Sequence, residues 1–230
     1  MKTLAEWDAF VVSHSEEAYA RFHSRLSRTR YPIRGIRIPI LRKQAREIAR
    51  GEDWRAFCDL RADSYELVMT QGLVLAQAKM PLEERCAALD AWLDRVDDWA
   101  LTDVVESTVK DCKEAYFAQC VEWCARADVW HARFGIVSML SHYVRTEYLP
   151  RVQASVLAVT AKDYYIDMAR AWLIQVVAVR DPSAALEMLA DARIDRTTAR
   201  MAAQKMRDSF RIDAQLAARA GRIAADKPIA

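Results

Sequence analysis

A chain of 230 residues is long enough for one large domain or a short helical array with a real core. With 53% hydrophobic and 29% charged residues it is not a disordered chain, and its net charge of +2 permits a nucleic-acid partner without announcing one. Only 5 Gly and 6 Pro leave too few turn signals for an all-β or βαβ fold.

The start "MKTLAEWDAF" is charged early and lacks a long apolar run, so it does not read as a secretory signal. No apolar stretch approaches the length of a bilayer span. Residues 2–13 and 15–28 read as two helices, followed by a loop through "TRYPIRGIR". Pro39 then opens a third helix, because its missing N–H costs nothing in the first turn. Within "PILRKQAREIAR", Leu41, Ala45, Ile48 and Ala49 recur at i, i+4, i+7 and i+8 and predict one buried face. Arg42, Lys43, Arg46 and Arg50 are left to point outward.

Helical periodicity continues through "SYELVMTQGLVLAQA", "PLEERCAALDAWLDRV" and one long run, "WALTDVVESTVKDCKEAYFAQCVEWCARA". It resumes in "VWHARFGIVSMLSHYV", "DYYIDMARAWLIQVVAV", "PSAALEMLA" and "DRTTARMAAQKMRDSF", with Pro, Asp, Ser or Lys clusters at the boundaries. "RFGIVSML" and "ARAWLIQVVAV" are apolar around most of their circumference and need neighbours on both sides, as stacked helical pairs provide. No strand pattern is present; "YYIDM" is short and runs into a helix.

Five Cys, an odd number without a signal, read as free thiols in a reducing cytoplasm. Cys112, Cys120 and Cys124 with His131 suggest zinc at first sight. Only Cys120 and Cys124 are closely spaced, however, and small core residues explain one helical turn better than a metal knuckle does. His14, His23 and His142 have no nearby partner in sequence. Trp7, Trp54, Trp92, Trp123 and Trp130 are read as core residues.

Two features depart from a plain helical bundle. Cations crowd the first quarter, from Arg21 to Arg50, and gather again from Arg193 to Arg211, as solvated faces or as phosphate contacts. In "DDWALTD", Trp99 and Asp103 stand four positions apart and so share one helical face. Arg133 follows Trp99 by 34 residues and Trp172 follows Arg133 by 39, close to one two-helix repeat of about 34 to 47 residues. Equivalent positions in successive repeats line one surface, so these four side chains are expected to share a groove.

Those segments resemble the AlkD-type HEAT-like-repeat DNA glycosylases, the DNA alkylation repair enzymes. "RGIRIPILRKQAREIA" is similar to the family's Gly-[Val/Ile]-x-x-Pro-x-[Leu/Met]-Arg segment, and the likeness continues through "DDWALTD", "VWHARFGIV", "YYIDMARAWLIQ" and "TARMAAQKMRDSF". It covers most of the chain, and the order and spacing of the segments are more specific than any one of them. Better-known members carry a second tryptophan and an extra acidic residue around the first motif and are more basic. The resemblance implies an all-α superhelix of HEAT-like helical repeats, with residues 1–230 forming one domain.

It also implies an activity: hydrolysis of the N-glycosidic bond of cationic N3- or N7-alkylated purines in duplex DNA, without base flipping; no lysine is obviously placed to form a Schiff base, so strand cleavage is not expected. The family's catalytic aspartate, arginine and two tryptophans fall on Asp103, Arg133, Trp99 and Trp172. Arg37, Arg42, Lys43, Lys205 and Arg211 become expected phosphate contacts. No metal or organic cofactor is implied, the partner is double-stranded DNA, and the protein is expected to be a cytoplasmic monomer that joins the nucleoid when bound to DNA. The rival readings are a non-catalytic paralogue that binds DNA structures and a protein-interaction scaffold, the commonest use of helical solenoids.

Overall fold

The computed structural model describes residues 3–107 and 109–228. Among them are fourteen helices and no strand, the all-α fold of the α-α solenoid class. Contacts divide the chain into two compact units, Met1–Cys112 and Lys113–Ala230.

The first unit contains α1 (Leu4–His14), α2 (Glu17–His23), α3 (Ile38–Arg50), α4 (Trp54–Cys58), α5 (Tyr65–Gln77), α6 (Leu82–Leu93) and α7 (Trp99–Val104). Helices α3, α5 and α7 pack in succession as one layer, and α4 and α6 lie against α5. Pro39 sits in the first turn of α3, and Leu41, Ala45, Ile48 and Ala49 are all buried while Arg42, Lys43, Arg46 and Arg50 are exposed. Helix α5 is the centre: every residue from Tyr65 to Ala76 is buried, as its neighbours on several sides require. A Cβ at Gly72 would come within 2.4 Å of the Trp92 ring, so glycine lets that indole approach α5 closely and donate to the Val68 carbonyl at 2.8 Å.

A buried carboxylate anchors the loop before α3. Glu66, 1% exposed, accepts from the backbone N–H groups of Arg34 (3.0 Å), Gly35 (2.7 Å) and Ile36 (3.3 Å). Such charge-assisted bonds are strong, and an N–H stripped of its acceptor in the interior is costly. Glu66→Ala is expected to lower stability by about 3 kcal/mol, read from urea unfolding by tryptophan fluorescence. A loss below about 1 kcal/mol would mean that water replaces the carboxylate.

The second unit contains α8 (Lys113–Cys124), α9 (Val129–Tyr143), α10 (Leu149–Leu157), α11 (Tyr164–Arg180), α12 (Pro182–Ala190), α13 (Arg196–Arg207) and α14 (Ala214–Asp226). Helices α9, α11 and α13 form one layer in sequence, and α8, α10, α12 and α14 back it. Aspartates begin most of these helices: Asp128, Asp163, Asp181, Asp195 and Asp213 each accept from a backbone N–H of the first turn.

The structure corrects several boundaries. The run from Trp99 to Ala127 is not continuous: it breaks after Val104 and resumes at Lys113. The interruption contains Val105, Ser107 and Val109, poor helix formers, and buries all three in a non-helical path. Thr108 lies outside the described residues. Helix α2 stops at His23 rather than residue 28, because the chain beyond it bonds to a distant segment described below. Helices α4, α10 and α14 were not expected: α4 has 5 residues, α10 begins over Pro150, and the buried positions of α14 are mostly alanines.

Cys120 and Cys124 are buried core residues, as expected, and Cys112 is half-buried before α8. Burial pushes the Cys58 and Cys124 thiols up to about 12, leaving a thiolate fraction near 10⁻⁴ at pH 8, by the usual titration arithmetic. In an Ellman titration at pH 8, Cys58 and Cys124 should stay unmodified until denaturant is added, as peptide mapping would show. Prompt labelling of Cys124 in the native protein would contradict its enclosure.

Candidate functional site

Helix α7 is built to hold two side chains. It has only 6 residues, too few to be stable alone, and its interior residues Ala100, Leu101 and Thr102 are buried. Trp99 and Asp103 are the partly exposed pair one turn apart. The Thr102 hydroxyl lies 2.8 Å from the Trp99 carbonyl and 3.0 Å from Asp103 Oδ1, so its single proton ties the two positions together.

Both ends of α7 are fastened. Asp98, 0% exposed, accepts from the Ala100 N–H (3.1 Å), the Tyr65 hydroxyl (2.9 Å), the Ser27 hydroxyl (3.3 Å) and the Arg28 N–H (3.3 Å). Burial, and then the Asp98 charge, drive the Tyr65 phenol well above its ordinary pKa, so it remains a hydrogen-bond donor. Asp97 accepts from the Thr29 hydroxyl and the Arg30 N–H, each at 2.7 Å. The Trp99 indole N–H reaches the Leu26 carbonyl at 3.4 Å. At the other end Arg42 donates to the Val104 carbonyl at 3.2 Å, satisfying one of the acceptors a helix leaves open at its C-terminus.

In the second unit, Arg133 lies on α9 and Trp172 on α11. Arg133 is 5% exposed, and its Nη1 donates to the Tyr165 carbonyl at 2.6 Å, fixing the guanidinium against the first turn of α11. Trp172, two turns further along, is partly exposed, in line with Tyr165, Met168 and Gln175. Trp130 does not belong to the core as expected: it is partly exposed, with its ring centroid 5.1 Å from that of Tyr165. It stands one turn before Arg133, just after the Asp128 cap, where periodicity says nothing about how deeply a ring is buried.

The predicted phosphate contacts divide. Lys43 and Arg211 are exposed, Lys205 is partly buried on α13, and Arg42 is exposed while capping α7. Arg37 is already engaged: it makes two hydrogen bonds to the Glu16 carboxylate, at 2.8 and 2.7 Å, and lies 4.9 Å from the Tyr19 ring centroid. Those bonds hold the Glu16 carboxyl below its usual pKa. A phosphate would have to displace Glu16 to use Arg37 in the same way.

Sequence reasoning brought Trp99 and Asp103 to one face, and the structure keeps them there. It missed the work of Asp97 and Asp98, for which an aspartate doublet before a short helix was the only local sign. It missed Tyr165, whose carbonyl holds Arg133 and whose ring meets Trp130. Among the described residues no cluster of histidine, cysteine or acidic side chains could hold a metal ion. No helix there is long and apolar enough to cross a membrane.

Layered helical pairs within each unit, carrying aromatic, acidic and cationic side chains on α3 and α7 in the first and on α9, α11 and α13 in the second, define a helical-repeat protein of the α-α solenoid class. The chain belongs to the family of DNA alkylation repair enzymes, whose model matches residues 9–209. That membership places it in DNA repair, with DNA as its binding partner. No curated protein and no solved structure matches it significantly.

Proposed function

We propose that the protein is a monofunctional DNA glycosylase that hydrolyses the N-glycosidic bond of cationic N3- and N7-alkylated purines in duplex DNA. The observation that carries this reading is α7, a 6-residue helix fastened at both ends that leaves Trp99 and Asp103 partly exposed on one turn.

The chemistry asks little beyond this. A purine alkylated at N3 or N7 is positively charged and leaves as a neutral base, so no strong general acid is required. Positive charge develops on the sugar instead, and one carboxylate stabilises it and orients the attacking water. This differs from sugar glycosidases, where two carboxylates share acid and nucleophile roles. In this reading Asp103 is that carboxylate. Trp99 and Trp172 offer ring faces to the cationic nucleotide, worth about 0.5–2 kcal/mol for each good contact. Arg133 holds a phosphate near the lesion. The proposal takes residues 1–230 as one HEAT-like repeat domain, working as a monomer and without the base flipping most glycosylases need.

The test is release of free base from duplex DNA containing N7-methylguanine or N3-methyladenine, followed by chromatography. Free base without strand scission supports the monofunctional enzyme. No release from either duplex by protein that binds both would replace it with a non-catalytic DNA-binding paralogue.

A further inference from the structure

Of the large apolar side chains exposed among the described residues, Phe210 is the most exposed, at 96%. It stands in the loop between α13 and α14, and the loop around it is ordered by several bonds. The Ser209 N–H donates to the Met206 carbonyl (3.3 Å), and the Ile212 N–H to the Ser209 carbonyl (3.2 Å). The Ser209 hydroxyl oxygen accepts from the Gln175 side-chain amide and from the Arg211 N–H, each at 3.4 Å. Phe210 is therefore presented, at the expense of leaving apolar surface in water.

Its neighbours indicate what it is presented to. Gln175 follows Trp172 by three residues on α11, about 4.5 Å along the axis, so the loop adjoins the proposed site. Arg207 and Arg211 flank Phe210 in sequence and both are exposed, with the Arg211 guanidinium 5.9 Å from the ring centroid. The nearby acids are occupied: Asp208 accepts from the Gln204 amide at 2.8 Å, and Asp213 caps α14 through the Leu216 N–H at 2.9 Å. An apolar tip between two arginines matches a polyanion with an apolar interior. Duplex DNA is such a ligand, with phosphates outside and sugars and stacked bases within.

From this arrangement we propose that Phe210 is a wedge. It enters a groove of the duplex beside the lesion, packs on sugar and base edges and partly unstacks one base step, while Arg207 and Arg211 hold the flanking phosphates. The wedge rests on the DNA-binding part of the function proposed above and not on its chemistry. An unstacked step would also make the damaged nucleotide easier to reach without flipping it out.

The experiment measures duplex affinity by fluorescence anisotropy at two salt concentrations, together with the emission of 2-aminopurine placed beside the lesion, which brightens on unstacking. The full-length wild type is compared with Phe210→Ala and Phe210→Trp; position 210 is at the surface, so both variants should fold. Phe210→Ala should weaken binding about tenfold, abolish the brightening and leave the salt dependence unchanged, because no phosphate contact is lost. Phe210→Trp should keep both affinity and brightening.

Wild-type affinity and brightening in Phe210→Ala would overturn the wedge. So would a loss of affinity accompanied by a flatter salt dependence, which would mean that the arginines had been disturbed. A change in sedimentation mass with DNA affinity untouched would assign the patch to a second copy of the chain. Brightening without base release would keep the wedge and sink the glycosylase; base release with affinity and brightening both indifferent to Phe210 would do the reverse.

Discussion

Asp103→Asn is expected to lower base release from N7-methylguanine duplexes by about 10²-fold or more while leaving the protein folded and bound to DNA. Removing one group that stabilises developing charge typically costs a factor of that order, because an amide keeps the shape of a carboxylate and loses its charge. Duplex affinity should be unchanged or tighter, since a negative charge beside the phosphates has gone. The separation of the two readouts is the point of the variant. Asp103 is partly exposed and its neighbour Thr102 can still donate to an asparagine oxygen, so a stability loss is not expected. Single-turnover release and anisotropy on the same preparation check both halves. Undiminished release would remove Asp103 from the chemistry, and a collapse of the thermal transition would assign it to the scaffold.

The second large effect concerns stability. Gly35 has φ +84°, in the left-handed region, and a Cβ there would lie 2.4 Å from the Glu16 carbonyl oxygen and 2.8 Å from the Ala20 N. Neither is a flexible group, because both belong to the backbone around α2. The Gly35 carbonyl also accepts from the Glu16 N–H at 3.0 Å, so the two strands of chain cannot part without losing that bond. Gly35→Ala adds backbone strain to overpacking and is expected to cost about 3–5 kcal/mol, much of the about 5–15 kcal/mol that holds a typical domain together. Urea unfolding should show a lower midpoint with a similar slope. A loss below about 1 kcal/mol would mean that the loop is free to move away from α2.

The sequence reached the fold where one face of a helix was plainly apolar. In α3 the pattern of Leu41, Ala45, Ile48 and Ala49 identified the buried side and the charged side alike. It failed where periodicity survived without a helix, as between Val105 and Cys112, because β-branched residues can be buried in an irregular path. It failed again at α14, where alanines at Ala217, Ala220 and Ala224 fill the buried positions and give a faint signal. At the site, the four-residue spacing of Trp99 and Asp103 was sufficient to place them on one face. The clamp beneath them was not legible, since Asp97 and Asp98 find their partners at Ser27, Arg28, Thr29 and Arg30, some 67 to 71 positions upstream. Trp130 was misplaced for a related reason: only tertiary packing shows that its ring meets Tyr165 and stays partly exposed.

The fastening of α7 ties two fates together. A helix this short has no independent folding transition, so the bearing of Trp99 and Asp103 is dictated by the segment from Leu26 to Arg30 and by Arg42. Fraying of the amino-terminal helices would turn the pair aside before the rest of the chain melted. Under the proposed function, residues outside the Trp99–Asp103 pair therefore govern how the lesion is met, and selection acting on repair would reach deep into what looks like plain scaffolding.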